Sequence, residues 1–173
     1  VLGWTSVRVG ENSVSIEPAD GIAPRIEFRQ TATVKRGQNR IHLDITTASP
    51  SDQTDSVTAA VVAGARHADV GQSPEEDHVV LADPEDNEFC ILAPYNSFLA
   101  GTGRLGSINC DGTRDLGVFW SAALGWPLMW DQNEETAIRS PQDVPFLITW
   151  SGPPLMPRHG VDRQRLRVAA PGM

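Results

Sequence analysis

One passage of this sequence occurs twice, and that repeat limits the folds that the chain can adopt. Leu2-Gly3-Trp4 returns as Leu124-Gly125-Trp126. After each copy come two strand-like runs, a strand led by proline, a polar basic loop and a further strand. The proline-led strands start at Pro24 and Pro145, and the closing strands cover 39–45 and 164–169. Because four landmarks recur in the same order, 2–45 and 124–169 are two copies of one structural unit.

A second repeat relates residues 39–92 to residues 104–150. In the first copy, Ser49 and Pro50 mark a helix start, and the turn at Asp83-Pro84 leads into a strand from Glu88 to Leu92. In the second copy, four apolar residues at helical spacing predict the face of a helix that packs on a sheet. These residues are Leu116, Phe119, Trp120 and Ala123. Each copy therefore has the order βαβββ, and the chain is predicted to be an α+β protein.

The two repeats together divide the chain into five parts. Residues 39–92 and 104–150 are complete βαβββ modules, joined by a linker at 93–103. Residues 1–38 are expected to be the trailing strands of an earlier module, and 151–173 a loop and the first strand of a further one. The chain starts at Val1 without an initiator methionine, so we expect a slice of a tandem protein or a permuted relative of one.

Composition restricts the partners and the compartment. The formal net charge of −8 argues against non-specific binding to nucleic acid, which needs a basic surface. An uninterrupted apolar run that could span a membrane is missing, and so is a signal-peptide pattern. With only two cysteines, Cys90 and Cys110, a disulfide scaffold is not expected. We therefore expect a cytoplasmic protein that has neither a nucleic-acid nor a membrane partner.

Three segments carry a resemblance to a known superfamily. They are Phe119-Trp120-Ser121-Ala122-Ala123-Leu124-Gly125-Trp126, Asn39-Arg40-Ile41-His42-Leu43-Asp44, and the run from Val80 to Leu92. Together they resemble the glyoxalase-like domains of the vicinal oxygen chelate superfamily, which includes glyoxalases, bleomycin-resistance proteins and dioxygenases. The resemblance implies paired βαβββ modules that form an open curved mixed sheet around a cleft. The module order differs from the usual one, in which the Phe-Trp module comes first.

The resemblance also implies four positions at which family enzymes ligate a divalent metal. They map to His42, Ser107, Cys90 and Leu147. Leucine cannot ligate, and serine is a poor ligand for zinc or nickel. We therefore expect no cofactor, with a divalent metal held by His42 and weakly by Cys90 as the alternative, and an isomerase of the glyoxalase I type is disfavoured.

Strand alternation predicts which side chains share a face with His42. Asp44 lies two residues further on and can pair with the imidazole, either as a proton-transfer pair or as a structural polar pair. Glu88 and Cys90 share a face of their own strand, and Cys90 is either a thiolate nucleophile or a small buried thiol, of which the buried thiol is favoured. Asn109 can hydrogen-bond a ligand. Trp130 and Trp150 lie on strands, where they stack on a planar ligand or fill the core.

These residues suggest metal-independent binding of a small apolar or aromatic molecule. The predicted ligand-binding set is His42, Asp44, Glu88, Cys90, Asn109 and Trp150, without a confident catalytic residue or metal ligand among them. A metal-dependent lyase, isomerase or dioxygenase of the same superfamily is the first alternative, so whether the chain is an enzyme stays open. A non-catalytic, dimerising structural member is the second. The expected partners are a small-molecule ligand and a second copy of the chain.

Overall fold

The computed structural model describes residues 1–22, 24–142, 144–160 and 162–167, and within these ranges the chain forms two helices and eleven strands. The N-terminal strands are β1 (Thr5–Gly10), β2 (Ser13–Glu17) and β3 (Ile26–Arg29). The first module consists of β4 (Ile41–Ile45), α1 (Pro50–Val62), β5 (Arg66–His67), β6 (Val79–Ala82) and β7 (Glu88–Ile91). The second consists of β8 (Leu105–Cys110), α2 (Arg114–Leu124), β9 (Leu128–Gln132), β10 (Glu135–Ile138) and β11 (Leu147–Trp150).

The two modules join into one mixed sheet of eight strands. Its order is β5-β6-β7-β4-β8-β11-β10-β9, so the modules meet where β4 runs antiparallel to β8. Within each module the first strand is parallel to the last. The sheet is open, because β5 and β9 are its two edges. The predicted α+β class and the paired βαβββ modules are confirmed.

Both helices cover the same face of this sheet. Ala60 of α1 packs in a buried cluster with Ile45, Leu81 and Ile91. Trp120 and Leu124 of α2 pack against a second cluster that contains Ile138, Ile148 and Trp150. The opposite face has no helix over it in the described ranges, and the side chains that alternate with these core residues point there.

Local signals set the helix ends. Ser49 is the N-cap of α1, and its hydroxyl accepts a hydrogen bond from the Asp52 N–H at 3.1 Å. Pro50 occupies the first turn, where its missing N–H costs nothing. Helix α2 ends at Gly125, whose φ of 67° lies in the left-handed region that glycine adopts readily.

The rotation of α2 differs from the sequence prediction. Leu116 and Phe119 are 37% and 58% exposed, whereas Gly117 is buried. A Cβ atom on Gly117 would lie 1.9 Å from Thr136 Oγ1, so this glycine lets the helix approach the sheet closely. The stripe that packs is therefore Gly117, Trp120 and Leu124. The prediction was right for Trp120 and wrong for Leu116, Phe119 and Ala123, which are exposed.

The first three strands form a separate antiparallel sheet in the order β1-β2-β3. The last predicted strand, 164–169, extends to residues 168 and 169, which lie outside the described residues; its described part, 164–167, has no regular secondary structure. Neither helix in the described part of the chain is long and apolar enough to cross a membrane.

Candidate functional site

Two short rows of polar side chains cross the middle of the face that the helices leave uncovered. Strand register creates the rows, because residues opposite each other on paired strands share a face. The first row is His42, Asn109 and Thr149, on β4, β8 and β11. The second row is Cys90, Asp44 and Ser107, on β7, β4 and β8. Both rows lie across the junction of the two modules.

A chain of hydrogen bonds links the rows. Thr149 Oγ1 donates to Ser107 Oγ at 3.4 Å, and Ser107 Oγ donates to Asp44 Oδ2 at 2.5 Å. The other carboxylate oxygen of Asp44 lies 3.3 Å from His42 Nε2. Ser107 and Thr149 are fully buried, while the side chain of His42 is 25% exposed. The buried carboxylate is therefore satisfied on both oxygens, and only its imidazole partner reaches solvent.

Electrostatics keep His42 protonated. Burial disfavours the imidazolium, but the hydrogen bond and charge of Asp44, with a further contribution from Cys90, raise the pKa of His42 from 6.5 to about 10. Burial raises the pKa of the Cys90 thiol, although His42 acts in the opposite direction. At neutral pH these shifts favour a protonated His42 paired with Asp44, next to a neutral Cys90 thiol.

Two buried polar atoms near these rows have no hydrogen-bond partner within the described residues: Asn109 Oδ1 and Trp130 Nε1. Asn109 lies directly opposite His42. Trp130 packs edge-on against Phe98, with ring centroids 5.3 Å apart, beside the apolar cluster that contains Cys90. Buried polar groups normally have partners, and a ligand that offers one donor and one acceptor would satisfy both atoms.

An open groove of about 450 Å³ lies along β5 and β6, lined in part by His67, His78 and Val80. Val80 lies opposite Cys90 in the paired strands and packs in the same buried cluster. The groove therefore lies one strand away from Cys90, and its described lining contains none of the side chains of the two polar rows.

The structure brings together four of the six side chains predicted to bind a ligand: His42, Asp44, Cys90 and Asn109. Glu88 lies beside His42 in the register, but its carboxylate is held by Lys35 Nζ and by the Asn39 N–H.

Trp150 points to the other face of the sheet. It is 3% exposed and lies in the cluster beneath α2, so it does not reach the side where His42 lies. Its indole fills the core, which was the alternative interpretation of this residue.

Thr149 and Phe98 lie at this site but were not among the residues predicted from the sequence. Thr149 could have been found, because it follows Leu147 by two residues and so shares the face of that family position. Phe98 lies in the segment predicted to be only a linker, and no local pattern marks it.

The side chains that could hold a metal are His42, Asp44 and Cys90, whose ligand atoms lie within 4.8 Å of one another. Imidazole, carboxylate and thiolate suit a zinc-like ion. Of the other family positions, Leu147 has no donor atom, and Ser107 already donates to Asp44. The three donors fit a metal, but binding it would require His42 to lose its proton.

Comparison with models of known protein families identifies a match. A family model described as a glyoxalase-like domain matches residues 1–92, more than half of the 173-residue chain. The matched segment contains the small sheet, the complete first module, and His42, Asp44 and Cys90. No curated protein matches the chain.

Proposed function

The chain belongs to the glyoxalase-like domain family of the vicinal oxygen chelate superfamily, and from this premise we propose that it binds a small apolar or aromatic molecule without a metal ion. The observation that carries the proposal is the unpartnered Asn109 Oδ1 directly opposite the protonated His42. This pair offers an acceptor and a charged donor side by side on a sheet face whose surroundings are apolar.

Each group has a defined part in this proposal. The His42 imidazolium donates to a carboxylate, phenolate or carbonyl oxygen of the ligand, and Asn109 Oδ1 accepts from a hydroxyl or amine. Phe98, Trp130 and the apolar cluster around Cys90 supply the apolar contact. Small-molecule sites typically have an apolar wall that carries a small number of polar groups.

The test is a thermal-shift screen with hydroxylated aromatic carboxylates and phenols, run in the presence of a chelator. A ligand at a hundred times its dissociation constant stabilises the fold by about 2.7 kcal/mol, so binding raises the melting temperature. Asn109→Ala should remove the shift and change the stability of the free protein only slightly, because Oδ1 has no hydrogen-bond partner to lose among the described residues.

Asn12→Ala is the matched control, because Asn12 lies exposed in the turn between β1 and β2. It should keep the full thermal shift. If no compound of these classes stabilises the protein, or if Asn109→Ala keeps the shift, the proposed site is wrong.

A second candidate is metal-dependent chemistry, favoured by the three donor atoms of His42, Asp44 and Cys90. A metal bound there would act as a Lewis acid on an oxygen of the substrate. The protein itself would hold Asp44 in place through Ser107, while an approaching substrate would meet His42 first because it is the most exposed of the three.

Titration calorimetry with Zn²⁺ and with Ni²⁺ separates the candidates. Metal-dependent chemistry requires stoichiometric binding that is lost in Cys90→Ala and kept in Cys110→Ala, whose thiol lies on the helix-covered face. It also requires proton release, because His42 must become neutral. If Cys90→Ala binds metal as well as the wild type does, this cluster is not a metal site.

A further inference from the structure

Arg139 comes directly after β10 and carries a third unpartnered polar atom on the sheet face that holds His42. Its Nε is buried and has no hydrogen-bond partner among the described residues, as is also true of Asn109 Oδ1 and Trp130 Nε1. A charged group that is buried without a partner costs more free energy than a neutral one. The guanidinium of Arg139 therefore needs an explanation of its own.

Strand register places the Arg139 side chain on this face. Ala137 lies in the buried cluster of Cys90 and Leu147, which is on the face without helices. The Arg139 N–H donates to the Pro127 carbonyl at 3.2 Å, so the pairing towards β9 continues past the end of β10. Because residues two apart in a strand point the same way, Arg139 shares the face of Ala137.

The three unpartnered atoms belong to nearby positions of the sheet. Trp130 lies opposite Ala137 on one side, and Thr149 followed by Asn109 lies opposite it on the other. Arg139 is two residues further along the chain than Ala137, so its Cα lies about 12 Å from that of Asn109 at ordinary strand spacings. A molecule with a single aromatic ring is therefore long enough to contact both side chains.

The charges on this face favour one negative charge at Arg139. His42 and Asp44 compensate each other. Glu135 shares the face but is four residues away, about 13 Å along the strand, so it does not neutralise the guanidinium. A carboxylate accepts two parallel hydrogen bonds from a guanidinium, whereas a phosphate would bring a second negative charge towards the buried Asp44.

We propose that Arg139 binds the carboxylate of an aromatic carboxylic acid, whose other end carries a hydroxyl group that lies at His42 and Asn109. Trp130, on the neighbouring strand, supplies a second donor to the carboxylate end. The inference rests on the proposed function, because it takes the same sheet face as the ligand site. It narrows the ligand from apolar or aromatic molecules to aromatic acids and sets the direction in which the ligand lies.

The test is titration calorimetry at neutral pH, in the presence of a chelator, with para-hydroxyphenylacetate and para-hydroxybenzoate and with the uncharged primary amide of each. The wild type should bind each acid at least about tenfold more tightly than its amide, because hydrogen bonds between two charged groups are stronger. Arg139→Met should lose this preference and bind acid and amide alike, with the affinity that the wild type has for the amide.

Two variants and one stability measurement serve as controls. Arg139→Lys should still prefer the acid, because it retains the positive charge. Arg8→Met should behave as the wild type does, since Arg8 is exposed on β1. Without ligand, Arg139→Met should resist denaturant at least as well as the wild type, because Nε has no partner to lose among the described residues. A less stable variant would assign Arg139 a structural role and overturn the proposal.

The outcomes separate this inference from the proposed function. If the wild type binds acid and amide equally, or if Arg139→Met keeps the preference, Arg139 does not bind the carboxylate, although binding itself still supports the proposed function. If phenols without a carboxylate bind and the acids do not, this inference alone is wrong. If no compound of any of these classes binds, both are wrong.

Discussion

Asp44 is a buried carboxylate between two strands of the central sheet, and its neighbours explain why it is tolerated there. Ser107 donates to one oxygen and His42 lies against the other, so the charge is compensated within the sheet. An unpaired buried carboxylate would cost several kcal/mol, which the histidine offsets by remaining protonated. The pair therefore favours the protonated state of His42, the member of this pair that reaches solvent.

The folded-state pKa of His42, about 10, lies above its unfolded value of 6.5. The stabilisation it contributes is fully present below 6.5 and is lost as the pH rises through about 10. Denaturant unfolding of the wild type and of His42→Gln should therefore differ most at low pH and converge above pH 10. We expect a loss of about 1–3 kcal/mol in the variant at neutral pH.

His67→Gln serves as the control for this titration, because His67 is exposed and has no carboxylate partner among the described residues. Its unfolding free energy should follow that of the wild type over the whole range. A difference between wild type and His42→Gln that grows between pH 7 and pH 10 would contradict the protonated pair.

Alternation along single strands correctly placed His42 with Asp44 on one face, because residues two apart in a strand must point the same way. It could not place Trp150, since both faces of β11 are buried and both are largely apolar. Nor could it show that Lys35, 53 residues away, holds the carboxylate of Glu88. Contacts of that kind depend on the packing of segments that no local pattern connects.

At the scale of the helices, Gly117 decides how α2 lies on its sheet. Alanine is more favourable than glycine inside a helix by about 1 kcal/mol, so Gly117→Ala alone should stabilise α2. However, the new Cβ would lie 1.9 Å from Thr136 Oγ1 and 2.7 Å from Thr136 Cβ. We expect a net destabilisation of about 2 kcal/mol, because overpacking outweighs propensity. Thr58→Ala on the exposed side of α1 should change stability by only a few tenths of a kcal/mol, measured in the same unfolding experiment.

The helix pattern correctly predicted where α2 lies in the chain, and it failed for the rotation of the helix. Leu116 and Phe119 are larger and more apolar than Gly117, so hydrophobicity alone predicts that they face the sheet. The close approach at Thr136 needs the smallest residue on the inner side, and hydrophobic periodicity does not measure that distance.

The two helix N-termini provide an internal comparison. Ser49 caps α1 through its hydroxyl, whereas Thr113 makes no side-chain cap bond to α2. Ser49→Ala should therefore cost about 1 kcal/mol of unfolding free energy, and Thr113→Ala much less. Equal losses in the two variants would show that the capping hydrogen bond is not the source of the effect.

Across the whole molecule, the junction of β4 and β8 holds the modules together. Arg104, just before β8, donates to the Thr46 carbonyl at 2.8 Å and to Asp52 at 2.8 Å, which ties the second module to α1. Both modules could be predicted from the internal repeat, because each has its own strand and helix signals. The family resemblance implied that two modules pair, but it left open whether they pair within one chain or between two chains.

The small sheet should be the least stable part of the described chain. Strand β1 is exposed along its whole length and pairs only with β2, whereas β4 and β8 each have a strand on both sides. Local opening of β1-β2-β3 exposes little additional apolar surface, so its amides should exchange hydrogen at free energies well below global unfolding. The amides of β4 and β8 should exchange only when the whole sheet unfolds.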